Sequence, residues 1–292
     1  MSIRPPSRIR SRQLGEADIG AVVDLLLKGF GKRRTREFWV AALARLTRHA
    51  TPPDLPKYGY VLESDGALVG VVLLISTTME SAGASTTRCN VSSWYVEPGF
   101  RGYAPLLAAQ ATKHQNVTYL NISPMPQTRP IVETLGYELY SRGIFIAAPL
   151  LQAPFGGSEA RIIGADAAPD ALGETFEQKL LVDHAAYGCI SLWCTSAERA
   201  YPFVFRPRLV GGLVPYAQLV YCRAVDDLVR FAGPIGWALA RRGRPLIMID
   251  ANGPIPGLIG KYLHDVKPKY FKGPDRPRHG DLAYTETALF GV

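Results

Sequence analysis

The chain has 292 residues, of which 47% are hydrophobic and 20% are charged, and its formal net charge is +8 at pH 7. This length and composition are typical of a globular protein with a sizeable core and about two domains. The apolar runs are only strand-sized, which excludes a membrane span, and the basic N-terminus has no apolar signal region. We therefore expect a cytoplasmic protein.

The N-terminal segments predict a strand, two helices and a hairpin. Apolar residues recur at three- and four-residue spacing in the helical segments, which gives each helix a face suited to burial. The tripeptide Ser64-Asp65-Gly66 separates two strand-like runs, as in a hairpin. In chain order the predicted elements are a strand at 9–14, helices at 16–29 and 36–49, and strands at 59–63 and 68–75.

Residues 89–115 combine a strand, a glycine-containing turn and a helix. The strand Cys-Asn-Val-Ser-Ser-Trp-Tyr-Val is followed by Glu-Pro-Gly-Phe-Arg-Gly-Tyr-Ala-Pro and a helical run. Amide groups in the first turn of a helix have no partner within it, and the helix dipole adds positive charge there. Arg101 adds a full charge, while Gly102 and Ala104 let the backbone approach a ligand. The segment therefore predicts a phosphate-type anion site.

The following segments continue the alternation of helix and strand. A helix at 106–114 precedes a β-rich strand at 117–122, which ends in Ser-Pro-Met-Pro. A short helix at 127–135 is closed by Gly136, and a strand at 137–147 completes this half of the chain.

Four residues of the turn match a motif of a known family: Val96, Pro98, Arg101 and Gly102. The segment resembles the acyl-CoA-binding loop of the GCN5-related N-acetyltransferases (GNAT), in which two further glycines follow. Here those two positions hold Ala104 and Leu106, and Pro105 between them has no N–H donor. The step Leu135-Gly136-Tyr137 is similar to the family's Leu-Gly-Phe, and the order of elements over residues 8–150 is that of the family.

The resemblance implies an α/β (α+β) fold with a GNAT-like mixed sheet flanked by helices. Residues 1–150 would form a GNAT-like acyl-CoA-binding domain and residues 151–292 a degenerate GNAT-like second domain, with the two similar lobes side by side. A Pro- and Gly-rich stretch within 147–162 marks the boundary.

The second half predicts parallel strands joined by a crossover helix. A strand, a helix over 225–241 and a strand over 245–249 follow one another, and a hairpin over 270–290 ends the chain. The junction before the helix has no glycine but carries Asp226 and Asp227, which would repel a pyrophosphate. We therefore expect the second half to extend the sheet and wall the acceptor pocket without binding coenzyme A.

The cofactor that the resemblance implies is acetyl-CoA or another acyl-CoA. Its pyrophosphate would bind the amides between Arg101 and Leu106, and its pantetheine would pair with the backbone at Tyr95 and Val96 as an added strand. The acyl group would pass directly to an amine, with a backbone amide stabilising the oxyanion where the strands diverge. The implied cofactor-binding residues are Tyr95, Val96, Arg101, Gly102, Tyr103, Ala104 and Leu106.

Enzymes of this family often use a carboxylate base and a tyrosine acid. At the family's tyrosine position this chain has Val132, and the strand position that often holds an acid falls at residues 92–93, both serine. The candidate base is therefore Glu80, acting through water, and the candidate acid is Tyr137 or Tyr140. A surface carboxylate and core aromatic residues are the simpler interpretation of these side chains.

Cysteine and histidine spacing predicts no metal site. The histidines are scattered and lack the paired spacing of zinc ligands. His184 beside Asp183 is a possible acid–base pair, although adjacent residues of a helix face different directions. The cysteines lie in apolar runs typical of buried thiols in a reducing compartment; they are Cys89, Cys189, Cys194 and Cys222.

Two clusters supply much of the positive charge: Arg4, Arg8, Arg10 and Arg12, and then Lys32, Arg33, Arg34 and Arg36. A basic surface attracts a polyanionic cofactor, an anionic polymer or a membrane alike. The second cluster falls between the helices that line the acceptor side in the family, which indicates either an acidic acceptor or a solvated loop. Neither cluster has the interleaved aromatic residues that stack on bases, so a nucleic-acid partner is not expected.

Two functional hypotheses follow. The first is an acyl-CoA-dependent N-acyltransferase, of the acetyltransferase type, that acts on an amine of a small molecule or amino sugar. The alternative is a catalytically silent GNAT-like module that binds a ligand or a protein. Thiol release with a panel of amines separates the two, and the sequence carries no signal for the oligomeric state.

Overall fold

The structure is a computed structural model of the chain. Clustering of contacts divides it into two compact units, which we call the first unit, Met1–Asn121 with Lys272–Asp275, and the second unit, Ile122–Phe271 with Arg276–Val292. The residues that the structure describes are 9–32, 34–81, 84–152, 160–167, 175–196 and 199–291.

The first unit is a five-stranded mixed sheet with helices. Its elements are β1 (Ile9–Gln13), α1 (Ile19–Phe30), α2 (Arg36–Arg48), β2 (Gly59–Ser64), β3 (Ala67–Ser81), β4 (Ala84–Val96), α3 (Ala104–Ala111) and β5 (Val117–Asn121). The strands lie in chain order; β1 to β4 pair antiparallel, and β4 and β5 pair parallel. This confirms the predicted sequence of elements up to β5.

Local sequence explains these elements. Thr35 begins α2 because its side chain accepts a hydrogen bond from the Phe38 amide at 3.3 Å. The predicted apolar face of α2 is buried through Trp39, Ala42, Leu43 and Leu46. The turn between β2 and β3 has positive φ at Asp65 and Gly66, as a two-residue hairpin loop requires.

The second unit is a seven-stranded mixed sheet with helices. Its elements are α4 (Arg129–Thr134), β6 (Glu138–Ala147), β7 (Arg161–Gly164), α5 (Phe176–Ala186), β8 (Ile190–Thr195), β9 (Ala200–Val210), β10 (Val214–Cys222), α6 (Val225–Arg230), α7 (Ala232–Ala240), β11 (Leu246–Ala251), β12 (Gly260–Lys272) and α8 (Glu286–Leu289). The strand order is β12-β6-β11-β10-β9-β8-β7, and β10 and β11 are its parallel pair. The predicted crossover between parallel strands is confirmed.

Both units have helices packed on mixed sheets, which confirms the predicted fold class. The division of the chain differs from the expected boundary at residue 150, because β6 pairs with β11 and β12 and therefore lies in the second unit with α4. Most of the Pro- and Gly-rich boundary stretch, residues 153–159, lies outside the described residues.

Two predicted elements of the second unit were wrong. The helix expected over 225–241 is broken at Phe231 into α6 and α7, because Pro234 suits the first turn of a helix and disrupts its interior. The hairpin expected over 270–290 is replaced by the end of β12 and the short helix α8. Within the described residues, no helix is long and apolar enough to cross a membrane.

Candidate functional site

Strands β4 and β5 pair over four positions and then separate. Their parallel ladder runs from Thr87 opposite Val117 to Asn90 opposite Leu120. Strand β4 continues to Val96 along β3, whereas the described chain contains no further β4–β5 pair. We call the opening beyond Asn90 and Leu120 the first wedge. One backbone edge of β4 there has no strand beside it among the described residues.

A β-bulge distorts β4 inside the first wedge. Leu73 of β3 pairs with Ser92 and Val71 pairs with Tyr95, so two residues of β4 oppose one residue of β3. Ser93, one of these two, has φ 49°. A bulge of this kind turns backbone groups out of the regular ladder and often lies beside functional sites.

Asn90 lies at the apex of the first wedge. It is 1% exposed. Its Nδ2 group donates hydrogen bonds to the carbonyl oxygens of Leu120 at 3.2 Å and of Val91 at 3.3 Å. A side-chain amide therefore supplies the donor to a carbonyl of β5 where the backbone ladder stops.

The predicted anion turn is a 3-10 helix, Pro98–Tyr103, that leads into α3. Arg101, Gly102 and Tyr103 are exposed, and a Cβ atom on Gly102 would have no neighbour within 4 Å. The Ala104 amide already donates to the Arg101 carbonyl. Leu106 is 41% exposed. The turn is thus open to ligand, but it presents fewer amides than a glycine-rich loop.

Tyr95 and Val96 join the wedge to the turn. They pair with Val71 and Gly70 of β3 on one edge of β4. The Tyr95 ring packs against Gly29 of α1, where a Cβ atom would come within 2.5 Å of it. Glycine is therefore required at position 29 for α1 to approach β4.

Glu80, the candidate base, lies away from the apex of the first wedge along β3, and Tyr137, the candidate acid, lies in the second unit. Glu80 is exposed and pairs with Ser85, five residues along β3 from Ile75, the partner of Asn90. Five strand residues span about 17 Å. Tyr137 is buried in the second unit, and its amide donates to the Val132 carbonyl at 3.3 Å.

The second unit contains a wedge of the same kind, but the chain itself fills it. Strands β10 and β11 pair in parallel only as far as Gln218 opposite Met248, and a bulge follows in β10 between Leu219 and Tyr221. We call the opening beyond Gln218 and Met248 the second wedge. Residues 280–282 pair with β10 there; Leu282 N–H donates to Val220 O at 2.7 Å and Cys222 N–H donates to Gly280 O at 2.9 Å.

The β10–α6 junction is also closed by its own side chains. Arg223 Nε donates to Glu177 Oε1 at 2.7 Å. The Asp227 carboxylate accepts from the Ala224 amide at 3.2 Å and caps α6. Burial is the main cause that raises the pKa of Asp227. These side chains occupy the junction, and that it does not take a pyrophosphate stays a prediction.

His184 is a structural residue in this fold. It is fully buried, its Nε2 accepts from the Tyr284 amide at 3.1 Å, and its Nδ1 therefore donates to the Leu180 carbonyl at 2.7 Å. Asp183 accepts instead from the Tyr284 hydroxyl at 2.7 Å. The neighbouring residues thus do not form an acid–base pair with each other.

The four cysteines are buried thiols that form no disulfide, as predicted. Burial raises the pKa of the Cys89, Cys194 and Cys222 thiols to about 12. Across the described ranges, no group of three or more His, Cys, Asp or Glu side chains is arranged to hold a metal ion.

Carboxylates form ion pairs with Arg10, Arg12 and Arg36 of the two basic clusters. Glu63 accepts from Arg10 at 2.7 Å and from Arg12 at 2.7 Å, and these arginines, Arg12 first, lower its pKa. Arg36 pairs with Asp24. These ion pairs favour the solvated interpretation of the clusters, whose members Arg4, Arg8 and Arg33 lie outside the described residues.

Comparison with known proteins places this geometry in a fold class. No protein-family model and no curated protein matches the sequence. A Pyrococcus horikoshii structure is similar over 94% of this chain and 93% of its own, with a TM-score of 0.58 at 12% identity. A GCN5-related N-acetyltransferase from Kribbella flavida is similar over 91% of this chain and 71% of its own, with a TM-score of 0.57 at 15% identity.

A GCN5-related N-acetyltransferase from Anabaena variabilis covers 90% of this chain and 72% of its own, with a TM-score of 0.56 at 11% identity. The chain therefore has the fold of the GCN5-related N-acetyltransferases, along nearly its whole length.

Sequence reasoning missed two parts of these wedges. Asn is depleted in strands, so Asn90 between Cys89 and Val91 is a local signal of a special position. Residues 280–282 carry no such signal, because their partners on β10 are about sixty positions earlier in the chain.

Proposed function

We propose that the protein is an acyl-CoA-dependent N-acyltransferase, of the acetyltransferase type, that transfers an acyl group to an amine of a small molecule or amino sugar. The observation that carries this proposal is the first wedge, where no strand of the described residues lies beside one edge of β4 and where β4 continues into an exposed turn with Arg101. Likeness to the N-acetyltransferase fold supports the choice of reaction.

Strand addition accounts for how the cofactor binds. The pantetheine arm has amide groups that pair with the β4 backbone at Tyr95 and Val96 in the way an added strand does. The pyrophosphate then lies at the turn that begins α3, where the helix dipole favours negative charge. Because Ala104 N–H is already bonded and Pro105 has no N–H, Arg101 provides most of the favourable charge there.

The bulge orients the reacting thioester. The acceptor amine attacks the thioester carbonyl carbon, negative charge develops on the carbonyl oxygen, and the C–S bond then breaks to release the thiolate of coenzyme A. A backbone N–H turned out of the ladder near Ser93 stabilises the developing charge. This contribution needs no side-chain acid.

Proton transfer is assigned to Glu80 and Tyr137. Glu80, the candidate base, lies about 17 Å of strand from the apex of the wedge, so it would take the proton of the amine only through a chain of intervening water molecules. Tyr137 is the candidate acid for the thiolate of coenzyme A. The same strand distance favours the second candidate function, a catalytically silent module that binds acyl-CoA without turnover.

Charge reversal at Arg101 tests the site. Arg101→Glu places like charge beside the pyrophosphate, so we expect acetyl-CoA to bind at least about ten-fold more weakly in calorimetry, without unfolding. The matched control is Arg48→Glu on α2, which changes the net charge equally at an exposed side chain bonded to its own helix. Unchanged affinity in Arg101→Glu would contradict the proposed site.

Turnover with a panel of amines separates the two candidate functions. Thiol release above the hydrolysis rate supports the transferase. Acyl-CoA binding that Arg101→Glu abolishes, without thiol release for any amine, supports the silent module.

A further inference from the structure

We infer that Asn90 is a positioning residue that prepares the apex of the first wedge for negative charge. The inference rests on the proposed function, because it concerns the thioester that the first wedge would hold. It adds a role for a side chain that the binding and proton-transfer assignments above do not use.

Two carbonyl oxygens meet at the apex, one from each strand. Nδ2 of Asn90 donates to Leu120 O of β5 and to Val91 O of β4 at 3.2 and 3.3 Å. Asn90 is buried, so solvent does not take over these bonds. Without the carboxamide, both oxygens would lack this donor at the point where the strands separate.

A carbonyl oxygen that loses a donor at this place opposes the reaction. The thioester oxygen gains negative charge in the transition state, and nearby carbonyl dipoles that are less compensated by donors raise the energy of that state. The charge is much smaller in the bound substrate, so the effect falls on the chemical step more than on binding. Asn90 therefore acts through the two carbonyl groups and does not itself contact the substrate.

The second unit supplies an internal control. Gln218 also occupies the last position of a parallel ladder before a bulge, and it is 4% exposed. Its Oε1 accepts from Arg208 Nε at 3.4 Å. Because residues 280–282 fill the second wedge, the proposed reaction does not use Gln218.

The test compares Asn90→Leu with Gln218→Leu. Each replaces a buried amide by an apolar side chain, so each lowers the melting temperature. We expect Asn90→Leu to reduce kcat about ten-fold, less than the loss of a direct oxyanion donor, while KM for the amine and Kd for acetyl-CoA change less than about two-fold. Gln218→Leu keeps the wild-type kcat.

Asn90→Asp provides a second measurement. It keeps the size of the side chain but replaces the donor by an acceptor, so kcat falls further than in Asn90→Leu at pH 7 and recovers in part at lower pH, where the protonated carboxyl donates again. If Asn90 had only a structural role, kcat of both variants would fall in proportion to their loss of stability. Asn90→Asp would then show no new pH dependence of kcat.

The outcomes separate this inference from the proposed function. Suppose that the wild-type protein releases thiol. If Asn90→Leu then keeps the wild-type kcat, or if Gln218→Leu loses as much kcat as Asn90→Leu, the role inferred for Asn90 is wrong and the proposed transferase function stands. If the wild-type protein releases no thiol with any amine, the proposed function fails first, and this inference fails with it.

Discussion

The two units form the same backbone feature and use it differently. In each, a parallel ladder ends at a buried amide residue and the strand that continues carries a bulge. In the first unit the continuing strand leads to an exposed turn with Arg101. In the second it pairs with residues 280–282 and leads to a junction with Asp226 and Asp227.

From the filled second wedge we expect a wedge in this fold to take a strand-like occupant. An unpaired backbone edge that is shielded from water costs free energy, and a segment of the chain or a bound molecule with amide groups can satisfy it. The second unit satisfies it internally, which suits a structural role. The edge in the first unit is suited to an external occupant.

Substitution of Gly280 tests the segment that fills the second wedge and has the largest expected effect. Gly280 has φ 77°, and a Cβ atom there would lie 2.7 Å from Cys222 Sγ. We expect Gly280→Ala to lower the free energy of unfolding by about 2–4 kcal/mol, from backbone strain plus overpacking. Chemical denaturation measures this loss, and acetyl-CoA affinity of the folded fraction stays at the wild-type value.

Gly66→Ala in the β2–β3 turn is the matched control. Gly66 has φ 86°, but a Cβ atom there would have no neighbour within 4 Å. We expect Gly66→Ala to lower the free energy of unfolding by only about 1–2 kcal/mol, from backbone strain alone. Equal losses in the two variants would show that residues 280–282 do not press against β10 as described.

The ion pairs of Glu63 give a test with a smaller expected effect on stability. Glu63 is held by Arg12 and Arg10, which lower its pKa, so it stabilises the first unit above its unfolded pKa of about 4.3 and loses this contribution as pH falls through the lower folded value. We expect Glu63→Gln to be less stable than wild type at pH 7 and to approach it in acid. Urea unfolding at several pH values measures the difference in free energy of unfolding between Glu63→Gln and wild type. If this difference does not change with pH, it comes from packing and not from the ion pairs.

Much of the fold was predictable because its signals are local. The apolar face of α2 and the Ser64-Asp65-Gly66 turn depend on spacing and φ preferences within a few residues. The break between α6 and α7 depends on Pro234, which is a local signal. The spacing of apolar residues over 225–241 nevertheless predicted one continuous helix.

The site was less predictable because it depends on pairing between distant segments. The motif around Arg101 indicated where a cofactor turn lies, but the ladder that stops at Asn90 and the segment that fills the second wedge are properties of the sheet. The order of elements along the chain indicates Glu80 as a base, whereas its distance from the wedge follows only from the register of β3.

A crystal structure with acetyl-CoA would show directly whether the first wedge holds the cofactor. We expect one cofactor per chain, its pantetheine beside Tyr95 and Val96, its thioester at the apex beyond Asn90, and residues 280–282 still paired with β10. A cofactor bound in the second unit, or a first wedge occupied by side chains of the protein itself, would contradict this expectation.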